Sequence, residues 1–139
     1  MKPGVKAPPP SVVVDTNVWY SAILYGGGPA RVVDFCLENC QVVASEELVE
    51  ELLEHLKVKA RAPYRWLRHF RQLLEKKITV VPRTLGSPLA VRDPKDMHVL
   101  QAALAERCEI IITGDQDLLE LESFKGIDII TPSKFLDSL

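Results

Sequence analysis

The chain has 139 residues, 47% of them hydrophobic, and a formal net charge of −2. That length suits one domain with a real core, and no apolar stretch approaches the roughly 20 residues that span a bilayer or forms the core of a signal peptide, so the sequence predicts a cytoplasmic protein without a membrane segment. Cys36, Cys40 and Cys108 form no CxxC pair and are odd in number, which argues against a disulfide framework and for small core residues.

In chain order, residues 1–11 hold Pro3, Pro8, Pro9 and Pro10 without apolar periodicity and read as a flexible arm, leaving 12–139 as the folded domain. Val12-Val13-Val14 is a β-branched run suited to a buried strand, and it ends in Asp15. Val18 to Leu24 reads as a helix stopped by Gly26-Gly27-Gly28, and Pro29 opens another that runs to about Asn39. Gln41 to Ala44 is a second strand, after which Ser45 caps a helix with the stripe Leu48, Val49, Leu52, Leu53 and Leu56.

From Ala62 to Lys77, Trp66, Leu67, Phe70, Leu73 and Leu74 recur at helical spacing, which predicts a helix that packs on one side and displays Arg61, Arg65 and Arg68 on another. Ile78 to Val81 is a third strand, and Pro82 to Arg92 is a loop. Asp93-Pro94 is a helix start, with an N-cap followed by proline at the first helical position, and the helix runs to about Arg107. Glu109 to Thr113 is a fourth strand, Asp115 to Leu121 a short helix, and Asp128 to Thr131 a fifth strand, with a last helix from Pro132. Strands alternating with helices predict an α/β fold with a central parallel sheet of four to five strands covered on both faces.

Charge is unevenly spread. Residues 57–83 carry nine Lys or Arg against one acid, Glu75, a local +8 that leaves −10 for the rest of the chain. A basic segment in an acidic protein points to a polyanionic partner, because clustered Lys and Arg bind phosphates by releasing counterions; the plainer alternative is a solvated helix face.

Four acids stand at the edges of predicted elements: Asp15, Glu51, Asp96 and Asp115. In a parallel sheet, ligands bind beyond the carboxyl ends of the strands, and Asp15 and Asp115 both lie just past such ends. Converging carboxylates repel one another without a cation, so the pattern predicts a divalent metal held by hard oxygen ligands, Mg²⁺ or Mn²⁺. Thr16 and Asn17 offer a hydroxyl and an amide to orient Asp15. Asp96 shares a stripe with Leu100 and Ala103 and should face inward. Each acid has a structural alternative: Asp15 and Asp115 as N-caps, Asp96 as an anion at a helix N-terminus, and Asp117 as a first-turn acid. Periodicity cannot choose between Glu50 and Glu51, which flank the leucine stripe symmetrically. His55, His69 and His98 show no HxxxH or HxxE spacing, against zinc, and no GxGxxG or GxxxxGK[ST] phosphate loop occurs.

These segments together resemble the PIN-domain nucleases, particularly the toxin components of bacterial and archaeal toxin–antitoxin pairs, from about Val12 to Leu139. Asp15-Thr16-Asn17-Val18 with Ser21-Ala22 is similar to the family's opening motif, and Ser45 to Leu52 to the segment whose conserved glutamate falls on Glu51. Arg92 to Asp96 with the Ala-rich 100–105 resembles the third motif, and Thr113 to Leu119 the fourth. The resemblance implies a three-layer αβα sandwich and a metal-dependent endoribonuclease, with Asp15, Glu51, Asp96 and Asp115 around one or two Mg²⁺ or Mn²⁺ ions and Asp93 and Asp117 as further carboxylates. Asn17, Thr16, Ser21 and Thr113 are the expected supporting or substrate contacts, while Arg61, Arg65, Arg68 and Arg71 would track the RNA backbone. A cognate antitoxin and a homodimer are the partners implied. A catalytically weak RNA-binding module with the same acids is the rival reading. A receiver-type signalling domain fits less well, since no Lys follows Thr113 at the fourth strand.

Overall fold

The computed structural model describes residues 8–83 and 94–139. Thirteen elements follow in order: β1 (Ser11–Val14), α1 (Thr16–Tyr25), α2 (Gly27–Asn39), β2 (Gln41–Ser45), α3 (Glu46–Val58), α4 (Tyr64–Lys77), β3 (Thr79–Val81), α5 (Pro94–Ala105), β4 (Ile110–Ile112), α6 (Gln116–Leu119), β5 (Ser123–Phe124), β6 (Ile127–Ile130) and α7 (Pro132–Asp137). Among the described residues the strands form one sheet in the order β3-β2-β1-β4-β6-β5. Every pairing is parallel except that of β5 with β6. The sheet is thus one strand wider than the four to five expected. β5 is two residues long, too short to carry an alternating pattern, and reaches the sheet as the outer arm of a hairpin.

The order of the strands fixes where a site can form. The chain lays down β2 and β3 on one side of β1, then returns through α5 to place β4 on its other side. At that reversal, the loops after β1 and β4 diverge and leave a crevice at the carboxyl ends. Val12, Val13 and Val14 are fully buried beside Ile111 and Ile112, as expected for β-branched residues in a central parallel strand covered on both faces. α5 packs over β1 and β2, and α2 covers β2 with α1 and α7 alongside. Asp96 opens the buried stripe of α5, above Leu100 and Ala103. Glycine is required at Gly26, where a φ of 68° ends α1 and lets α2 begin one residue later, before Pro29.

The cysteines are all free, with Cys36 and Cys108 buried. Burial pushes both thiols up to about 12, so they are inert core residues. No helix among the described residues is long and apolar enough to cross a membrane.

α4 departs from expectation. Of its apolar stripe only Leu74 is buried, Leu67 and Phe70 pack partly against the core, and Trp66 and Leu73 remain 43% and 45% exposed. The stripe is wider than the surface α3 and β3 offer it, so one flank of the helix has nothing to cover it among the described residues.

Candidate metal centre

Asp15 follows β1 directly and N-caps α1, its Oδ1 accepting the Thr16 backbone N–H at 2.8 Å. Its other oxygen, Oδ2, accepts the Thr113 hydroxyl at 2.8 Å and the Asn17 amide at 3.3 Å. Capping and site-building are therefore one arrangement: the cap bond uses one oxygen and orients the second. Thr113, fully buried at the end of β4, has its own hydroxyl fixed because it accepts the Asp115 backbone N–H at 3.0 Å. Asn17 ties the same two loops together by accepting the Gly114 N–H at 3.0 Å. A Cβ on Gly114 would stand 3.3 Å from the Asn17 oxygen, so the close approach favours glycine there.

Asp115 caps α6 by accepting the Asp117 backbone N–H at 2.8 Å. Asp96, Asp115 and Asp117 can bring one carboxylate oxygen each within 4.8 Å of one another. Asp15, Thr16, Asn17, Glu51, Asp96 and Asp115 line a single cavity of about 130 Å³, together with His55, His98 and Val99. The four acids singled out in the sequence thus meet in one crevice at the reversal between β1 and β4. Asp93 lies outside the described residues. Ser21 sits on α1 but is not part of the cavity wall.

Which glutamate faces the site is decided by tertiary partners. Glu50 is drawn to Arg83 at 2.6 Å, whereas Glu51 turns into the cavity. Glu51 stands between two imidazoles, with His55 Nε2 and His98 Nε2 each 3.9 Å from a different one of its oxygens. His98 is held in place by Ser45, whose Oγ is 2.7 Å from Nδ1 and also accepts the Leu48 N–H as the cap of α3. Neither histidine stood out as a site residue in the sequence. His55 had a usable signal, its i,i+4 spacing from Glu51, but His98 had none, because its partners Ser45 and Glu51 lie some fifty residues away.

The electrostatics fit a cation. Burial holds the Asp15 carboxyl above the usual carboxylate range, and the Asp115 charge adds to that, against the opposing hydrogen bonds from Thr113 and Thr16 and the charge of His98. Thr16 Oγ1 is buried without a partner among the described residues, in the wall of the same cavity. A destabilised carboxylate, an orphaned hydroxyl and three more carboxylates in one cavity wall form an oxygen-rich donor set of the kind that suits a hard divalent cation.

The basic residues lie elsewhere. Arg68 and Arg71 line a groove of about 520 Å³ between α3 and α4 with Leu53, Lys57, Tyr64 and Leu67. Arg71 is paired with Glu75 at 2.9 Å, while Arg61 and Arg65 are exposed.

A family model described as "PIN domain" matches residues 11–117 of the chain. No curated protein sequence matches it. The fold is similar to the VapBC-1 structure from nontypeable Haemophilus influenzae, at a TM-score of 0.61 and 13% identity over 88% of this chain and 98% of that one. It is also similar to VapBC2 from Rickettsia felis bound to a DNA fragment from its promoter, at 0.58 and 10% identity over 87% and 98%. The PIN domain endonuclease Utp24 matches at 0.58 and 20% identity, over 90% of this chain and 86% of that one.

Proposed function

This chain belongs to the PIN-domain family, and we propose that it is a divalent-metal-dependent endoribonuclease acting in the cytoplasm as the toxin of a toxin–antitoxin pair. The observation that carries the reading is the convergence of Asp15, Glu51, Asp96 and Asp115, from four separate stretches of sequence, on one cavity at the sheet's reversal. Support for the toxin role comes from the likeness to two VapBC structures, and an antitoxin chain and a homodimer are proposed as partners on the same ground.

Asp96, Asp115 and Asp117, with Asp15 and Glu51, would hold one or two Mg²⁺ or Mn²⁺ ions, which when bound would supply Lewis acidity and charge neutralisation at a scissile phosphodiester. The chain's own groups do the positioning. Thr113 and Asn17 hold Asp15 Oδ2 in place from opposite loops, and Thr16 N–H fixes Oδ1. His55 and His98 confine Glu51 from two sides. Arg61, Arg65, Arg68 and Arg71 place the RNA backbone without reading its sequence.

Hydrolysis of this kind leaves a 5′-phosphate and a 3′-hydroxyl. The test is to incubate the EDTA-treated protein with single-stranded RNAs, add back Mg²⁺ or Mn²⁺, and identify the ends of the products. Metal-restored cutting with those ends is expected. Cutting in EDTA, or 2′,3′-cyclic phosphate ends, would exclude the mechanism, and a protein that binds RNA but never cuts in either metal would be a binding module.

A further inference from the structure

α4 carries a stacked aromatic pair whose outer ring, Trp66, is accounted for by neither the core nor the carboxylate cavity. Trp66 and Phe70, one helical turn apart, are stacked with ring centroids 5.0 Å apart and planes 18° from parallel. Phe70 leans on the core and stacks on Trp66, which is itself 43% exposed and so offers indole surface to solvent. At 100° per residue, Arg65, Trp66, His69, Leu73 and Lys76 fall on one flank of the helix, and all five are exposed. Glu75, the only acid in α4, lies on the other flank and is taken by Arg71.

We infer that this flank is a stacking platform for single-stranded nucleic acid, with an unpaired base laid on the exposed indole of Trp66 and its phosphates beside Arg65, His69 and Lys76. Two alternatives are weaker on the same observations. Protein–protein interfaces are depleted in Lys, whereas here Lys76 shares the flank of Trp66 with Arg65 and His69. A duplex presents no free base face, so the phosphate attraction alone would act and the tryptophan would be idle. An aromatic ring that offers a π-face, set in a stripe of positive charge with no unpaired acid, is the combination single strands bind. The platform gives the basic segment a second function, holding a substrate's unpaired bases as well as its backbone. Its role in cleavage rests on the ribonuclease reading, but its binding chemistry does not.

The chain carries its own reporter. Of its two tryptophans, Trp19 is buried at 3% exposure, so a quencher laid on the surface reads Trp66. In EDTA, where RNA is bound but not cut, titration of the full chain with a 12-nucleotide oligoadenylate should quench the tryptophan emission. The duplex of the same length should leave it unchanged. By anisotropy of a labelled oligonucleotide, Trp66→Leu should bind about 5- to 150-fold more weakly, the span for losing a base–aromatic stack, while Trp66→Phe stays within a few-fold of wild type. Leucine stays apolar but removes the π-face, and Trp66→Phe, which also loses area but keeps a ring, separates the two effects. Wild-type affinity in Trp66→Leu overturns the platform, as does sedimentation showing self-association that buries Trp66 and is lost in that variant. The two readings fail separately: a wild type that never cuts yet shows the quenching loses only the nuclease, and one that cuts normally with no effect of Trp66→Leu loses only the platform.

Discussion

The carboxylate cavity and the α4 surface are built on opposite principles. In the cavity, the bonds that start α1, α3 and α6 are made by Asp15, Ser45 and Asp115, so the side chains that terminate backbone irregularities also form or support the site. Position there is set by the sheet: Thr113 reaches Asp15 across 98 residues of sequence because β1 and β4 are paired neighbours. α4 has one buried residue, Leu74, and presents its charges on flexible, solvated side chains. On the proposed function, chemistry that needs ångström placement is anchored to paired strands, and attraction to a polyanion, which acts over a Debye length of roughly 8–10 Å, is left to an exposed helix.

Substitutions should separate the two regions by kind as well as by size. The largest effect belongs to the cavity: Asp96→Asn should lower RNA cleavage at least about 10²-fold, since charge stabilisation by a bound cation is worth several kcal/mol. Its melting curve in EDTA should still show a cooperatively folded protein; a mutant that melts much earlier would make Asp96 structural. Thr113→Val should come next, weakening Mn²⁺ binding about 10- to 100-fold in a direct titration, as expected for a group that orients a ligand, with RNA affinity in EDTA unchanged. Unaltered Mn²⁺ affinity would remove Thr113 from the site.

On α4 the double change Arg65→Gln with Arg68→Gln should weaken RNA binding several-fold and reduce the slope of log affinity against log salt by about 0.7 per lost contact, with kcat retained. A loss in kcat at unchanged affinity would break the division between the regions. The smallest effect is on stability against pH. Asp15 has a folded pKa raised above its ordinary value, so the native protein holds its proton longer than the unfolded chain does. Its contribution is therefore fully present below the unfolded value and falls as pH rises through the folded one. In EDTA, the melting temperature of wild type relative to Asp15→Asn should fall as pH is raised from about 4 towards neutrality, and a rise over that range would contradict a carboxyl whose burial outweighs its hydrogen bonds.

The same contrast explains what could be read from the residues. β1 and its acid were legible because the β-branched run Val12-Val13-Val14 suits a buried strand and a carboxylate at its end needs a reason. The inward turn of Asp96 followed from its spacing to Leu100 and Ala103. Glu51 could not be told from Glu50, since what separates them is Arg83, a residue 33 positions away that captures Glu50. His98 was invisible for the same reason. In α4 the apolar period was real but overread as burial: a stripe states which residues share a side, not whether the fold supplies enough surface to cover them.

The most direct test of the central claim is cleavage of one labelled single-stranded RNA by wild type and Asp15→Asn side by side, in Mn²⁺ and in EDTA, with folding of both checked by their melting curves. Asp15 is the acid whose placement the structure explains most completely, and asparagine keeps its cap. Cutting by wild type in Mn²⁺ alone, lost in a folded Asp15→Asn, is the predicted result. Equal cutting by the two proteins in Mn²⁺ would show that the reaction is not carried by this cavity.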